Sequence, residues 1–201
     1  MRIALIGPAW PDQGTAARHT TELAYRLAAA GHNVIIESWP ARGVPHAPEP
    51  PDGDPYPRTY RRLRWYRPDT WIAAGRRLRS ADLVVFALLS QAQVPSYLSV
   101  LTALALGPDR PRTAVICHAA LPAAAPGQQG LTRTLLARAD TVIVHSAAQA
   151  AQARALAAEV PIVIARMPPH LPSVPPGPGV RPPDPEPYWL AYLHALGASP
   201  S

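Results

Sequence analysis

The chain has 201 residues, 48% of them hydrophobic, which suffices for the core of one domain, yet no apolar run nears the ~20 residues of a membrane-spanning helix. Its net charge of +6 comes from arginine alone, with no lysine anywhere, and with 27 prolines this is the coding style of GC-rich DNA, so the charge by itself does not indicate an anionic partner. One cysteine, Cys117, excludes a disulfide framework and a cysteine-based zinc site, and Met1 leads straight into Arg2-Ile3-Ala4-Leu5-Ile6 without a secretory leader, so the expected location is cytoplasmic.

Hydrophobic periodicity predicts strands and helices in alternation. Arg2 to Ile6 reads as a buried strand and Gly7 to Thr15 as the loop after it. A helix follows over Ala16 to Ala30, with Leu23, Leu27 and Ala30 on one face and Gly31 as its C-cap. Asn33 to Ser38 is a second strand, and Pro40 to Pro57 an irregular loop. Pro68 and Asp69 open a helix through Trp71, Ile72 and Leu78. Further strands are expected over Asp82 to Ala87, Thr113 to His118, Thr141 to His145 and Pro161 to Ala165. Between them fall helices over Val94 to Leu106, Leu131 to Ala139 and, behind Ser146 as N-cap, Ala147 to Ala158.

The strands are continuous Val/Ile/Leu runs, as in strands buried on both faces. The expected fold is therefore α/β, a doubly wound parallel sheet of Rossmann-like type. It would span residues 1–167, followed by a Pro-rich linker over 168–187 and a short terminal helix in 188–201. Ten of the residues from Pro168 to Pro187 are proline, which precludes a packed core there. The apolar stretch Tyr188 to Leu196 is expected to fold back onto the domain.

In such a sheet ligands bind at the carboxyl ends of the strands. Four candidates fall there. The loop ending in Gly14-Thr15 leads into a helix N-terminus, where backbone N–H groups can receive a phosphate; an ordinary strand-to-helix loop would look the same. His118 ends a buried strand and can hydrogen-bond a sugar hydroxyl or sit as a satisfied histidine. His145 holds the equivalent place on the next strand, and Ser146 is most simply an N-cap. His19 either meets a ligand held at Gly14 or is a plain surface residue. The cluster Arg58, Arg61, Arg62, Arg64 and Arg67, interleaved with Tyr60, Trp65 and Tyr66, reads best as a solvated edge with packed aromatics. A nucleic-acid or anionic-membrane surface is the rival reading. No His/Asp/Glu cluster has metal-ligand spacing.

Taken in order, several of these segments resemble the start of a family-4 glycosyltransferase. They are Arg2-Ile3-Ala4-Leu5-Ile6-Gly7-Pro8, Gly14 to Thr21, and Leu27 through Gly31-His32-Asn33-Val34. Ala81 to Val85, Ala114 to His118 and Ala139 to Ser146 are similar to the family's later strands. The resemblance implies the acceptor-binding, amino-terminal half of a two-domain GT-B enzyme that transfers a sugar with retention and without metal. By that resemblance Gly14 and Thr15 approach the donor phosphate and His118 lies near the transferred sugar, as the catalytic position. His19, His145 and Ser146 fall among the ligand-binding positions. The family commonly has two glycines where Gly14-Thr15 stands, and a polar residue where Ala119 follows the histidine. Its second domain carries paired glutamates eight apart, whereas after Arg166 the only acids are Asp184 and Glu186.

The resulting expectation is a glycosyltransferase-like domain that needs no cofactor beyond a nucleotide-sugar donor. It would turn over nothing alone and would need a chain that supplies the nucleotide-sugar-binding domain. Its acceptor would be a small molecule or glycan, and a peripheral membrane contact stays open. The alternatives are a non-catalytic binding or regulatory module, and, less favoured, a basic nucleic-acid or membrane-surface binder using Arg58 to Arg67.

Overall fold

The computed structural model describes residues 1–12, 14–40, 58–107, 109–118, 121, 126–172 and 187–199. In chain order the elements are β1 (Arg2–Ile6), α1 (Thr15–Ala29), β2 (Asn33–Glu37), β3 (Arg58–Tyr60), α2 (Pro68–Arg77), β4 (Leu83–Leu88), α3 (Val94–Ala105), β5 (Arg112–Cys117), α4 (Pro126–Ala137), β6 (Thr141–Val144), α5 (Ala147–Leu156), β7 (Ile162–Ile164) and α6 (Pro187–Ala195). The seven strands form one parallel sheet in the order β3-β2-β1-β4-β5-β6-β7. Its direction of winding reverses between β1 and β4, the place where such sheets open a crevice.

The two-residue period of each strand sorts its side chains between two apolar layers. Ala4, Ile6, Val84, Phe86, Val115, Cys117, Val142 and Val144 face one layer, shared with residues of α2, α3, α4 and α5. Ile3, Leu5, Val34, Leu83, Val85, Ala114, Ile116 and Ile143 face the other, shared with α1 and α6. Every residue of β4 is buried, which is why the central strands carry no alternation in the sequence.

Helix α1 ends as its sequence predicts. Gly31 sits at φ +87°, its N–H bonds to the Ala28 carbonyl, and the His32 N–H bonds to the Leu27 carbonyl. That is a Schellman closure, available at low cost to glycine. Glycine is also needed where α2 crosses α3. A Cβ on Gly75 would stand 2.5 Å from the Ala103 Cβ and 2.7 Å from the Val100 carbonyl oxygen.

Helix α6 completes the thinner layer. Trp189, Tyr192, Leu193 and Leu196 are all at most 2% exposed and lie against residues of α1, β4, β5 and β6. Burial of two large aromatics and two leucines removes several hundred Å² of apolar surface from water, at roughly 25 cal/mol per Å². The buried Glu22–Arg26 pair (2.8 Å) lies along α1, and the Arg26 guanidinium stands 5.5 Å from the Trp189 ring. Past α6, the Ala198 carbonyl lies 3.1 Å from His32 Nε2.

Some expected boundaries move. The edge strand β3 went unpredicted because Arg-Thr-Tyr, pairing only with β2, carries no apolar run. Helix α4 starts at Pro126, before the expected Leu131, and Pro187 is the first residue of α6, where proline's missing N–H costs nothing, not the last of the linker. Residues 41–57 of the expected loop and 173–186 of the expected linker lie outside the described residues.

Candidate functional site

The carboxyl edge of the sheet brings three histidines together. His118 follows β5, His145 follows β6, and His19 lies five residues into α1. Ring centroids are 4.8 Å apart for His19 and His118, 5.2 Å for His118 and His145, and 6.0 Å for His19 and His145. His118 and His145 are 99 and 126 positions from His19 in sequence, so only the tertiary fold makes the three neighbours.

The backbone holds each in place. The His118 N–H bonds to the Leu88 carbonyl (2.8 Å), extending the β4–β5 ladder by one residue. Tyr97 donates from α3 to the Ala87 carbonyl (2.8 Å) and lies 3.2 Å from the Ile6 carbonyl, pinning the ends of β4 and β1 beneath the site. The His145 N–H donates to Gln149 Oε1 (2.8 Å), and Ser146 Oγ accepts from the Gln149 N–H (3.2 Å). Ser146 is thus the N-cap of α5, as expected, and its exchange with Gln149 fixes the turn that carries His145.

His19 is fully buried, which corrects the reading of it as a surface residue. It stacks on Trp189 (5.1 Å, 25° between planes) and tilts against Tyr192 (4.7 Å). Tyr192 Oη lies 2.8 Å from His145 Nδ1, and both lie near the Ala165 carbonyl oxygen, at 3.1 and 3.0 Å. Trp189 and Tyr192 were not expected at the site. Their signal was the i, i+3, i+4, i+7 spacing of Trp189, Tyr192, Leu193 and Leu196, which predicts one buried helix face but not where it docks.

Burial sets the charge state of this cluster. It holds His19 well below the ordinary imidazole value, with His118 and His145 adding like-charge repulsion. Burial, and then His145, push His118 down to about 3. Burial also lowers His145, against the raising effect of its bond to Ala165. All three rings are therefore neutral near pH 7. Both ring nitrogens of His19, both of His118 and Nε2 of His145 are buried with no hydrogen-bond partner among the described residues. Unsatisfied buried donors and acceptors each cost about 1–3 kcal/mol, so the cluster has unused hydrogen-bonding capacity. Among the described residues no group of three or more His, Cys, Asp or Glu is placed to hold a metal ion. Cys117, one residue before His118, is buried with its thiol pushed up to about 12, so it is not a nucleophile.

Gly14 and Thr15 are exposed at the start of α1. Gly14 is the N-cap at φ −73°, ψ 154°, offers no side chain to the helix, and a Cβ there would meet nothing within 4 Å. Neither packing nor conformation demands glycine at this position. The two Ala-Asp pairs of the sequence sit instead at the opposite, amino edge. Asp82 Oδ2 accepts from the Arg2 N–H (2.6 Å) and Asp140 Oδ2 from the Thr113 N–H (2.7 Å), tying the starts of neighbouring strands.

The arginine cluster is committed within the domain. Arg61 donates to the Trp10 carbonyl, Arg64 to the Arg61 carbonyl (2.9 Å), and Arg67 pairs with Asp69 (2.9 Å). Arg62 lies over the Tyr60 ring and 3.9 Å from Glu37, while Trp65 stacks on the buried Trp39 at 4.7 Å. Trp65 thus packs as the sequence suggested, whereas Tyr66 stands exposed. No helix among the described residues is long and apolar enough to cross a membrane.

A seven-stranded parallel Rossmann-like sheet with its polar cluster at the carboxyl edge is the architecture of one half of a GT-B glycosyltransferase. The chain belongs to glycosyltransferase family 4, whose model matches residues 16–166. Among solved structures it is similar to sucrose-phosphate synthase from Thermosynechococcus elongatus, with 17% identity and a TM-score of 0.59, over 84% of this chain and 90% of that one. It is also similar to an alpha-glucosyltransferase in complex with UDP, with 15% identity and a TM-score of 0.46, over 73% of this chain and 35% of that one. A comparison with curated proteins finds no match.

Proposed function

We propose that this domain is the acceptor-side half of a retaining, nucleotide-sugar-dependent glycosyltransferase, and that these 201 residues alone do not turn over a nucleotide sugar. In this reading the N–H groups at Gly14 and Thr15 approach the donor phosphate. His118 donates a hydrogen bond to a hydroxyl of the transferred sugar, His145 lies beside it, and the buried His19 backs both rings. Ser146 shapes the turn that carries His145.

The observation that carries this reading is the cluster of three closely spaced histidines at the carboxyl edge of a family-4 sheet. Three imidazoles kept neutral by burial hydrogen-bond hydroxyls well, but they do not supply the positive charge that a departing diphosphate needs. That charge must come from a second wall, which a partner chain or a further domain would bring. No metal ion is called for, because the chemistry asks for positioned donors.

Two measurements test it. Titrating the 15N-labelled chain with UDP-glucose or GDP-mannose should shift the resonances of Gly14, Thr15, His19, His118 and His145, with affinity on the order of 1 mM or weaker. No transfer of sugar should accompany it. Shifts confined to the Arg58–Arg67 edge, or transfer by the chain alone, would contradict the reading.

A further inference from the structure

The triangle of His145 Nδ1, Tyr192 Oη and the Ala165 carbonyl oxygen decides which nitrogen of His145 carries its proton. The carbonyl oxygen can only accept. Were Nδ1 bare, its lone pair would face the Ala165 oxygen at 3.0 Å, two acceptors in contact with no proton between them. With the proton on Nδ1, every group in the triangle is satisfied. Nδ1–H then donates to the Ala165 oxygen and toward Tyr192 Oη (2.8 Å), and the Tyr192 hydroxyl donates its own proton to Ala165 (3.1 Å). Tyr192 is fully buried on α6, so no water competes for this arrangement. The neutral ring then has a bare Nε2, buried and without a partner among the described residues, on a ring 5.2 Å from that of His118 and 6.0 Å from that of His19.

We infer that Tyr192, on the terminal helix, is a positioning residue of the site: together with the Ala165 carbonyl it holds His145 as the Nδ1–H tautomer and presents Nε2 as an acceptor for a hydroxyl proton of the ligand. The inference rests on the proposed function for the identity of that ligand, a hydroxyl-bearing sugar or acceptor. The tautomer itself does not depend on any ligand. It assigns the terminal helix a part in the chemistry of a site otherwise built from α1, β5 and β6.

The test is a two-bond 1H–15N NMR experiment on the uniformly 15N-labelled full chain at pH 7.5, which reads protonated and bare ring nitrogens directly. The expected spectrum for His145 has a protonated Nδ1 and a bare Nε2. A bare Nδ1 with protonated Nε2 overturns the proposal, whatever the variants do. In Tyr192→Phe the Nδ1–H keeps only the Ala165 carbonyl as its acceptor, so the His145 Nδ1 and Hδ1 signals should shift and the proton should exchange faster with solvent. A His145 spectrum in that variant identical to the wild type would remove Tyr192 from the role. Adding UDP-glucose to the same wild-type sample separates the two readings. An Nδ1–H tautomer with no ligand response anywhere in the cluster would keep this inference and sink the proposed function.

Discussion

Glycine at position 14 is the place where fold and ligand demands come apart. Its backbone angles suit any residue, and an added Cβ meets nothing within 4 Å. Gly14→Ala should therefore cost only about 1 kcal/mol, the difference between glycine and the poorer N-cap alanine. The same methyl group stands where a phosphate would approach the α1 N–H groups, so nucleotide-sugar shifts should weaken or vanish in a variant that melts almost normally. The histidines make a second prediction at this scale. An imidazole whose folded value is depressed leaves the unfolded chain binding the proton more readily. Its full contribution is present above the ordinary value of 6.5 and is lost as pH falls from there toward about 3, for His118. The His118 ring costs the folded state about 1.4 kcal/mol per pH unit in that window, and His19 and His145 act in the same direction. Glu37, raised by burial against the pull of Arg77 and Arg62, works in the opposite direction. The urea midpoint should fall between pH 7.5 and 5.5, and His118→Gln should flatten that fall. A pH-independent midpoint would contradict the dry, neutral cluster.

Among the elements, α6 and the α2–α3 crossing bear the most weight. Trp189→Ala removes a buried indole that touches His19 and Arg26, and a loss of about 3–5 kcal/mol is expected. Leu190, its half-exposed neighbour at 44%, should cost well under that on the same substitution. Chemical denaturation of the two variants checks the pair. Equal losses would mean α6 is not seated through its Trp189 face. At the other layer, Gly75→Ala puts a methyl group 2.5 Å from the Ala103 Cβ and should destabilise by about 1–3 kcal/mol as the helices part. Central elements were readable from residue type alone, because β1, β4, β5 and β6 each contain an uninterrupted apolar run and their helices punctuate them. The edge strand β3 was not readable, since a strand with one neighbour and a solvent-facing side needs no Val/Ile run. The helix α6 was readable as a helix, and its docking against His19 was not, because spacing fixes a face but not its partner.

At the scale of the molecule, the parallel sheet and the carboxyl-edge location followed from strand order. His118 and His145 end expected strands, so their meeting was implicit in a parallel sheet. That His19 joins them, buried and stripped of partners, depends on α1 and α6 closing over it from one face, which no local pattern encodes. The molecule that results has a binding wall whose three histidines offer hydrogen-bonding capacity without charge of their own. Its central claim is that this wall serves sugar transfer only when a second one faces it. The direct measurement is release of nucleoside diphosphate from UDP-glucose and GDP-mannose by the purified 201-residue chain, with glycan and small-molecule acceptors supplied, beside His118→Ala. The account predicts no release above the blank for either protein. Release by the wild type that disappears in His118→Ala would contradict it, showing that one wall suffices.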